Sequence, residues 1–330
     1  MGYNSIISRS DASALIPEEV SDAILTSVGG TNPLMQLARQ LPRMSRAQTR
    51  LPVPSALASA YFVSGDTGLK QTTEAAWANK YIDAEELAVI VPISEAVLDD
   101  ADYPIWEQVQ EQLVTAFSLA ITQAVLFGTN IPATWTNNLG AAGLLARCTA
   151  ASHVVDLSTQ EGAGQDIYDV LLGAGGVIAL IEEDGYMATG HVAHLSMRGK
   201  LRGVREKVWN GATAANLGSP IFTNSMQESS QYLLDGQPIY FPTDGSMAST
   251  ALLFAGQWDQ LVYAMRQDMT FKLLTEAVIQ DSGGNILYNL AQQDMVALRA
   301  VMRLGFALPN PINRINSNST TRCAFAALVP

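Results

Sequence analysis

His191 and His194 are the residues whose type and spacing first suggest chemistry, because neutral imidazoles bind transition metals and move protons near neutral pH. On a strand, however, residues three apart point to opposite faces, and no nearby Cys or carboxylate completes a tetrahedral set. No metal or cofactor is therefore expected. His153 stands in a loop with no nucleophile near it in sequence, and no G-x-S-x-G elbow singles out a catalytic serine. Asp99, Asp100 and Asp102 lack the alternating ligands, glycine and closing Glu of a calcium loop, and fit the acidic start of a helix better. Gly162-Ala163-Gly164 and Gly173-Ala174-Gly175-Gly176 do not complete G-x-G-x-x-G, and Gly199-Lys200 lacks the earlier glycine of a phosphate loop. The second glycine cluster falls inside a helical pattern and reads as close helix packing. Nothing here assigns an enzyme activity.

Charge offers more. The 330 residues carry a formal net charge of -12, which argues against a dedicated nucleic-acid binder. Yet Arg39, Arg43, Arg46 and Arg50 lie between Leu34 and Pro54 with no acid among them, whereas Tyr81 to Glu111 holds nine carboxylates and no base. Arg198, Lys200 and Arg202, with Arg205 and Lys207, mark a basic helix expected from Ser196 to Trp209, with Ser196 as N-cap. That helix could meet a polyanion, or pair with the acids of a neighbouring subunit.

Hydrophobic residues make up 48% of the chain and charged residues only 15%, well below the roughly 25% usual in soluble domains. The core can be large, and much of the surface must be neutral or apolar, as suits a protein covered by partners. Cys148 and Cys323 are too few for a disulfide framework and read as free thiols. No run approaches the ~18 apolar residues of a membrane span, and the N-terminus has no secretory pattern.

The elements that must position these groups follow from period and punctuation. A short helix is expected from Pro17 to Thr26, stopped by Gly29-Gly30. Residues 51 to 80 contain prolines, a Ser-Gly-Asp-Thr-Gly turn and a polar return limb, which together suggest an extended two-stranded excursion. It has few apolar residues with which to bury itself, so it needs a surface to lie on.

Glu85 to Ser94 reads as a strand. Asp102-Tyr103-Pro104 then opens a long helix ending at Gly128, with Ile105, Val109, Leu113, Ala116, Phe117, Ala120, Ile121, Ala124 and Val125 on one side. A loop-rich stretch from Gly128 to Gly164 is followed by a helix from Gln165 to Glu183, with Val170, Leu171, Ala174, Val177, Ile178 and Ile181 inward. A strand from Tyr186 to Leu195 comes next. From Gln231 onward the pattern is mostly strand: QYLLDGQPIYF, ALLFAG, LVYAM, TFKLLTEA, ILYNL and DMVALRAVMRLGFAL.

This order of segments resembles the major capsid proteins of tailed bacteriophages, the Hong Kong 97-type fold shared with encapsulin shells. The likeness is sharpest at Asn289-Leu290, Asp294 to Ala300, Arg303-Leu304 and Pro311, which are similar to that family's closing strand. It implies an α+β fold: N-terminal arm 1–50, extended loop 51–84, peripheral domain with spine helix 85–149, axial domain 150–250, peripheral-domain strands 251–305, and a return to the axial domain 306–330. It also implies a structural protein, not an enzyme, that assembles with copies of itself into pentamers and hexamers of a virion head around packaged DNA.

Scaffolding, if needed, is expected from a separate protein, since only one short helix precedes the arm; portal and cement proteins are further expected partners, and a membrane is not. Some relatives join a loop lysine to an asparagine with the help of a glutamate. The matching positions here are Asp294 and Val301, so the resemblance implies that this cross-link is lost and leaves Lys70 as a contact residue only. An encapsulin-type compartment holding protein cargo, or an α/β enzyme, are the alternative readings.

Overall fold

The computed structural model describes residues 32–63, 68–99, 105–204, 208–210, 213–215 and 233–330. The expected helix from Pro17 to Thr26, and Asp100, Asp102, Pro104, Arg205 and Lys207, lie outside them. The chain divides into two units. One includes Glu86–Val114 and Gln267–Arg303; the other includes Asn32–Glu85, Thr115–Arg266 and Leu304–Pro330.

Among the described residues, the second unit is built on a six-stranded sheet. Its order is Val154–Asp156, Phe325–Val329, Leu253–Gly256, Gly190–Ala193, Gln237–Tyr240 and Leu233–Leu234. Phe325–Val329 pairs parallel with Val154–Asp156 and antiparallel with Leu253–Gly256, which in turn runs antiparallel to Gly190–Ala193. The two central strands Leu253–Gly256 and Gly190–Ala193 are buried at every residue, as covered strands must be. Helices Gly143–Ala150 and Val177–Glu183 pack against Phe325–Val329. A Cβ added at Gly256 would lie 2.3 Å from the Phe325 ring, so glycine is what lets that ring reach the edge of Trp258, 5.2 Å between centroids. The strand Leu253–Gly256 thus shares a sheet with strands drawn from the 150–250 stretch.

The long helix is Ile105–Phe127. Leu113, Val114, Phe117, Ile121, Ala124, Val125 and Leu126 are its buried apolar positions, with Ser118 and Thr122 buried beside them. Ala116, expected inward, is exposed, because one step before Phe117 is a turn of about 100° away from the buried stripe. Gly128 ends the helix at φ +72, where a Cβ would strike the Ala141 carbonyl oxygen.

A further sheet, of four strands among the described residues, has the order Arg39–Gln40, Val262–Leu274, Met295–Ala307, Glu85–Ser94. The last matches the expected bounds. LVYAM and TFKLLTEA, expected as two strands, are one.

Other expectations are corrected. The helix from Gln165 to Glu183 is two, Ile167–Leu172 and Val177–Glu183. Gly175 has φ +75, and at Gly173 a Cβ would lie 2.4 Å from the Asp169 carbonyl oxygen, so the cluster breaks the helix and leaves Ala174 exposed. The stretch read as loop-rich holds helices Ala133–Leu139, Gly143–Ala150 and Leu157–Gly162. Asp156 caps the last by accepting the Thr159 N–H at 2.9 Å, and its bonds from Ser158 and Thr159 hold its carboxyl below the usual range. The strand from Tyr186 to Leu195 shortens to Gly190–Ala193, and the basic helix to Met197–Gly203, followed by an extended segment Val208–Asn210. Phe325–Val329 was not among the expected strands.

Candidate functional site and assembly surfaces

The two-stranded excursion is real. Gln48–Ala56 pairs antiparallel with Ala76–Asp83, from Gln48 opposite Asp83 to Pro54 opposite Trp77, with a bulge between Pro54 and Ala56. Pro52 and Pro54 are tolerated because, among the described residues, this ribbon has no third strand to ask for their missing N–H groups.

The hairpin is held in three zones. At its base Ile82 is fully buried with Met44, Val262, Ala264 and Ala307. Trp135 Nε1 donates to the Asp83 carbonyl oxygen at 2.9 Å and Asn138 Nδ2 to that of Tyr81 at 2.8 Å. Gly305 has no room for a side chain, since a Cβ would sit 2.5 Å from the same Asp83 oxygen. Midway, the Ile312 N–H donates to the Pro54 carbonyl oxygen at 3.4 Å and the Arg314 guanidinium to that of Ala58. Farther out the bonds are internal: Ser59 N–H to Thr73 Oγ1 at 2.9 Å, and the Tyr61 hydroxyl to the Gln71 carbonyl. There Phe62 is fully exposed and Leu69 89% exposed, and Trp77, opposite Pro54 in the middle zone, is 72% exposed. Full burial of one such side chain is worth roughly 1.5–3 kcal/mol, so the outer hairpin is an unspent hydrophobic surface.

Arg39, Arg43, Arg46 and Arg50 are all exposed and lead into the hairpin base. Arg39 lies on the short strand paired in parallel with Val262. Lys70 is exposed on the outer hairpin. On the basic helix Lys200 Nζ lies 3.0 Å from Glu161 Oε1, and Arg202 Nε donates to the Arg198 carbonyl oxygen at 3.2 Å. A partner for Lys200 thus comes from the same chain. Ser196 makes no cap bond; its hydroxyl lies 2.7 Å from His194 Nδ1.

The histidines separate. His191 is buried, its Nε2 3.2 Å from the Leu234 carbonyl oxygen, so Nε2 carries the proton. Burial drives its pKa down to about 4, which keeps the ring neutral. His194 is taken up by Ser196. Among the described residues no group of three His, Cys, Asp or Glu side chains could hold a metal ion, and no helix is long and apolar enough to cross a membrane.

His153 is the surprise. It is buried, with Nε2 3.3 Å from Asp184 Oδ2 and Nδ1 3.1 Å from the Phe325 carbonyl oxygen. Asp184 also accepts the Cys323 N–H at 2.7 Å and the Asn316 amide at 2.7 Å, while its carbonyl oxygen accepts the Asn313 amide at 2.6 Å. Fully buried Arg322 donates to the Asn310 and Asn316 carbonyl oxygens at 2.9 and 2.8 Å. Cys148 and Cys323 are free and buried, and burial, with Cys323 as a neighbour, pushes the Cys148 thiol up. Sequence spacing offered no signal for this hub, whose Asp184–Cys323 bond spans 139 positions.

Asp294 is an exposed turn residue with φ 47, its carbonyl oxygen accepting the Glu95 N–H at 2.9 Å; Val301 is buried in the strand Met295–Ala307. Asn285, a candidate replacement amide, is held by Asp281, whose Oδ2 accepts its Nδ2 at 3.0 Å. That bond, with those to the Asn285 and Gly283 N–H groups, keeps the Asp281 carboxyl below its usual range.

The model of the phage capsid family matches residues 12–314. The chain belongs to the phage capsid family. The family is one of structural shell proteins, and the α+β fold is the Hong Kong 97-type. The chain is 22% identical over 315 residues to the major capsid protein of Staphylococcus phage 80alpha, covering 94% of this chain and 84% of that protein. A solved structure from Microbacterium phage Oxtober96 is similar at TM-score 0.75 and 29% identity, over 99% of this chain and 100% of that one. One from Mycobacterium phage Bobi gives 0.72 and 29%, over 99% of both chains. The capsid of a native GTA particle shares the fold at TM-score 0.54 and 15% identity, over 90% and 89%.

Proposed function

We propose that this chain is the major capsid protein of a tailed phage, tiling an icosahedral head as pentamers and hexamers around double-stranded DNA. The observation that carries the reading is the hairpin, which leaves Phe62, Leu69 and Trp77 in solvent on a fold that belongs to a shell-forming family. Laid on a neighbouring subunit, that surface supplies the interface area a permanent assembly needs. The arm is 1–50, the extended loop 51–84, and the axial domain 150–250 with 306–330, to whose sheet Leu253–Gly256 also belongs; the peripheral domain is 85–149 with the remainder of 251–305.

Arg39, Arg43, Arg46, Arg50, Arg198 and Arg202 serve as contacts to a neighbour's acids or, without sequence preference, to phosphates. No bond-making chemistry is assigned to any residue, so shell strength comes from burial. Assembly takes place in the bacterial cytoplasm, with any scaffolding, portal or cement function supplied by separate proteins.

Negative-stain microscopy of the purified chain tests this. Closed shells are expected, and deleting Ser64 to Lys70 should leave a folded subunit that forms none. A monodisperse small particle from the intact chain, with no shells under any salt condition and none when a scaffolding protein is co-expressed, would overturn it. Shells that contain protein cargo and no nuclease-protected DNA from infected cells would instead make it a compartment of the encapsulin kind.

A further inference from the structure

The middle zone of the hairpin is gripped by a loop from the far end of the chain. Residues 310–323 carry no regular secondary structure, yet every few residues one of them is pinned. Asn313 and Asn316 hang from Asp184 by their side-chain amides, and Asn316 Oδ1 accepts the Asn318 N–H while Asn313 Oδ1 accepts the Asn316 N–H at 2.8 Å. Arg322 closes the loop onto its own start through Asn310. Ile315 lies over Gly185: a Cβ built there would come within 2.5 Å of Ile315 Cδ1, and Gly185 has φ +79. Between these pins, Ile312 and Arg314 reach the hairpin strand at Pro54 and Ala58.

We propose that this loop is a strap that sets the direction in which the hairpin leaves the subunit, with Arg314 as the positioning residue at the hairpin and Asp184 as its anchor. A two-stranded ribbon is marginal alone, and the base contacts at Tyr81 and Asp83 fix only one end of it. A hinge lies between a fixed end and a free end unless something grips the ribbon beyond the base. Ala58 follows the last paired residue, Ala56, which stands beside a bulge where the strand is free to bend. The guanidinium donates there to a backbone carbonyl, so the grip does not depend on which side chain Ala58 carries.

The anchor is built to be rigid. Asp184 is buried, both of its carboxylate oxygens are engaged, and its partners are a backbone N–H, an amide and an imidazole. A carboxylate accepting several hydrogen bonds inside a protein has one orientation available to it, and what hangs from it inherits that orientation. The strap rests on the shell-forming reading only for its purpose; its mechanics belong to the single subunit and are measured there.

The test is a spin-label distance between Lys70→Cys on the outer hairpin and Arg202→Cys on the basic helix, in the unassembled subunit. The native thiols are buried and need not be removed. With the strap intact the distance distribution should be narrow. Arg314→Ala should broaden it at least twofold, with the thermal midpoint within about 1 °C of the parent, since one exposed hydrogen bond contributes little to stability. Gly185→Ala, which must displace Ile315, should broaden it too, and Arg314→Lys should restore part of the order. A distribution unchanged in Arg314→Ala would overturn the strap, whether or not shells form. Broadening together with normal shells would keep the strap and show that the direction it sets is not required for assembly.

Discussion

The six-stranded sheet and the hairpin Gln48–Ala56/Ala76–Asp83 are both made of β-structure, yet they treat apolar residues in opposite ways. Leu253–Gly256 and Gly190–Ala193 are buried throughout, and the rings of Phe325 and Trp258 meet in a T-shaped contact. The hairpin buries Val53 and Ile82 toward its base and leaves Phe62, Leu69 and Trp77 outside. In the sheet, hydrophobic burial is completed within the chain and appears as subunit stability. In the hairpin it is deferred, and it can appear only as association with something else.

Damage to each region in turn should separate subunit stability from association. Deleting Ser64 to Lys70 should abolish shells while shifting the subunit's thermal midpoint by less than about 2 °C, because the outer hairpin contributes little to the fold. Phe325→Ala, by contrast, opens a cavity at a fully buried ring and should cost about 3–5 kcal/mol, read as a fall in the urea midpoint at unchanged slope. Equal stability losses in the two variants would show that the hairpin is part of the subunit's own core.

How much of this contrast was legible beforehand follows the range of the interactions. The hairpin, the strand Glu85–Ser94 and the long helix are local patterns, written in prolines, glycines and period, and they were read from the chain. The strand Phe325–Val329 was missed because AFAALV is a short, unbroken apolar run with no alternation to betray it. The helix break at Gly173–Gly176 was missed because helical spacing continues across it, while the backbone crowding at Gly173 exists only in three dimensions. The Asp184 hub was invisible for a further reason: His153, Asp184 and Cys323 come together only when three separate elements pack, and none carries a motif. Whether the four arginines touch DNA or protein is a property of the assembly, which a single chain does not encode locally.

The buried sheet makes a second prediction, through pH. His191 is neutral in the fold, with a pKa of about 4 against about 6.5 when unfolded. Between those values the unfolded chain binds a proton that the folded chain refuses, so stability falls as pH drops from 6.5 toward 4 and is unaffected by this group above 6.5. The full difference is roughly 3 kcal/mol. His191→Gln keeps a donor toward the Leu234 carbonyl oxygen and cannot titrate, so the slope of unfolding free energy against pH should flatten over that window. An unchanged slope would mean that the ring is already charged in the fold.

The exposed region responds to salt instead. Replacing Arg39, Arg43, Arg46 and Arg50 with glutamine removes four exposed charges and no buried surface, so the isolated subunit should keep its midpoint within about 1 °C. Assembly or genome retention should weaken at low salt and converge with the parent at high salt, where screening has already removed the charge contribution. Parent-like assembly and packaging at every ionic strength would make the arginines a merely solvated face.

The smallest expected effect is none at all, and it concerns whether the deferred surface is ever locked covalently. An isopeptide bond needs a neutral lysine amine, an amide whose ammonia can leave, and a base that takes the amine's proton. Asp294 offers a carboxylate, which repels a nucleophile and has no ammonia to expel. Val301 is an apolar side chain buried in its strand and can neither take nor give a proton. Of the two amides that could substitute, Asn285 and Asn289, the former already donates its Nδ2 to Asp281, and the exposed Asp281–Asn285 turn would have to open to release it. Mature particles boiled in detergent should therefore yield one band at 35.3 kDa, and Lys70→Ala should leave that pattern unchanged. A ladder that survives reducing agent and disappears in Lys70→Ala would show that an amide elsewhere accepts the lysine, and that the hairpin's association is made permanent by chemistry and not by burial alone.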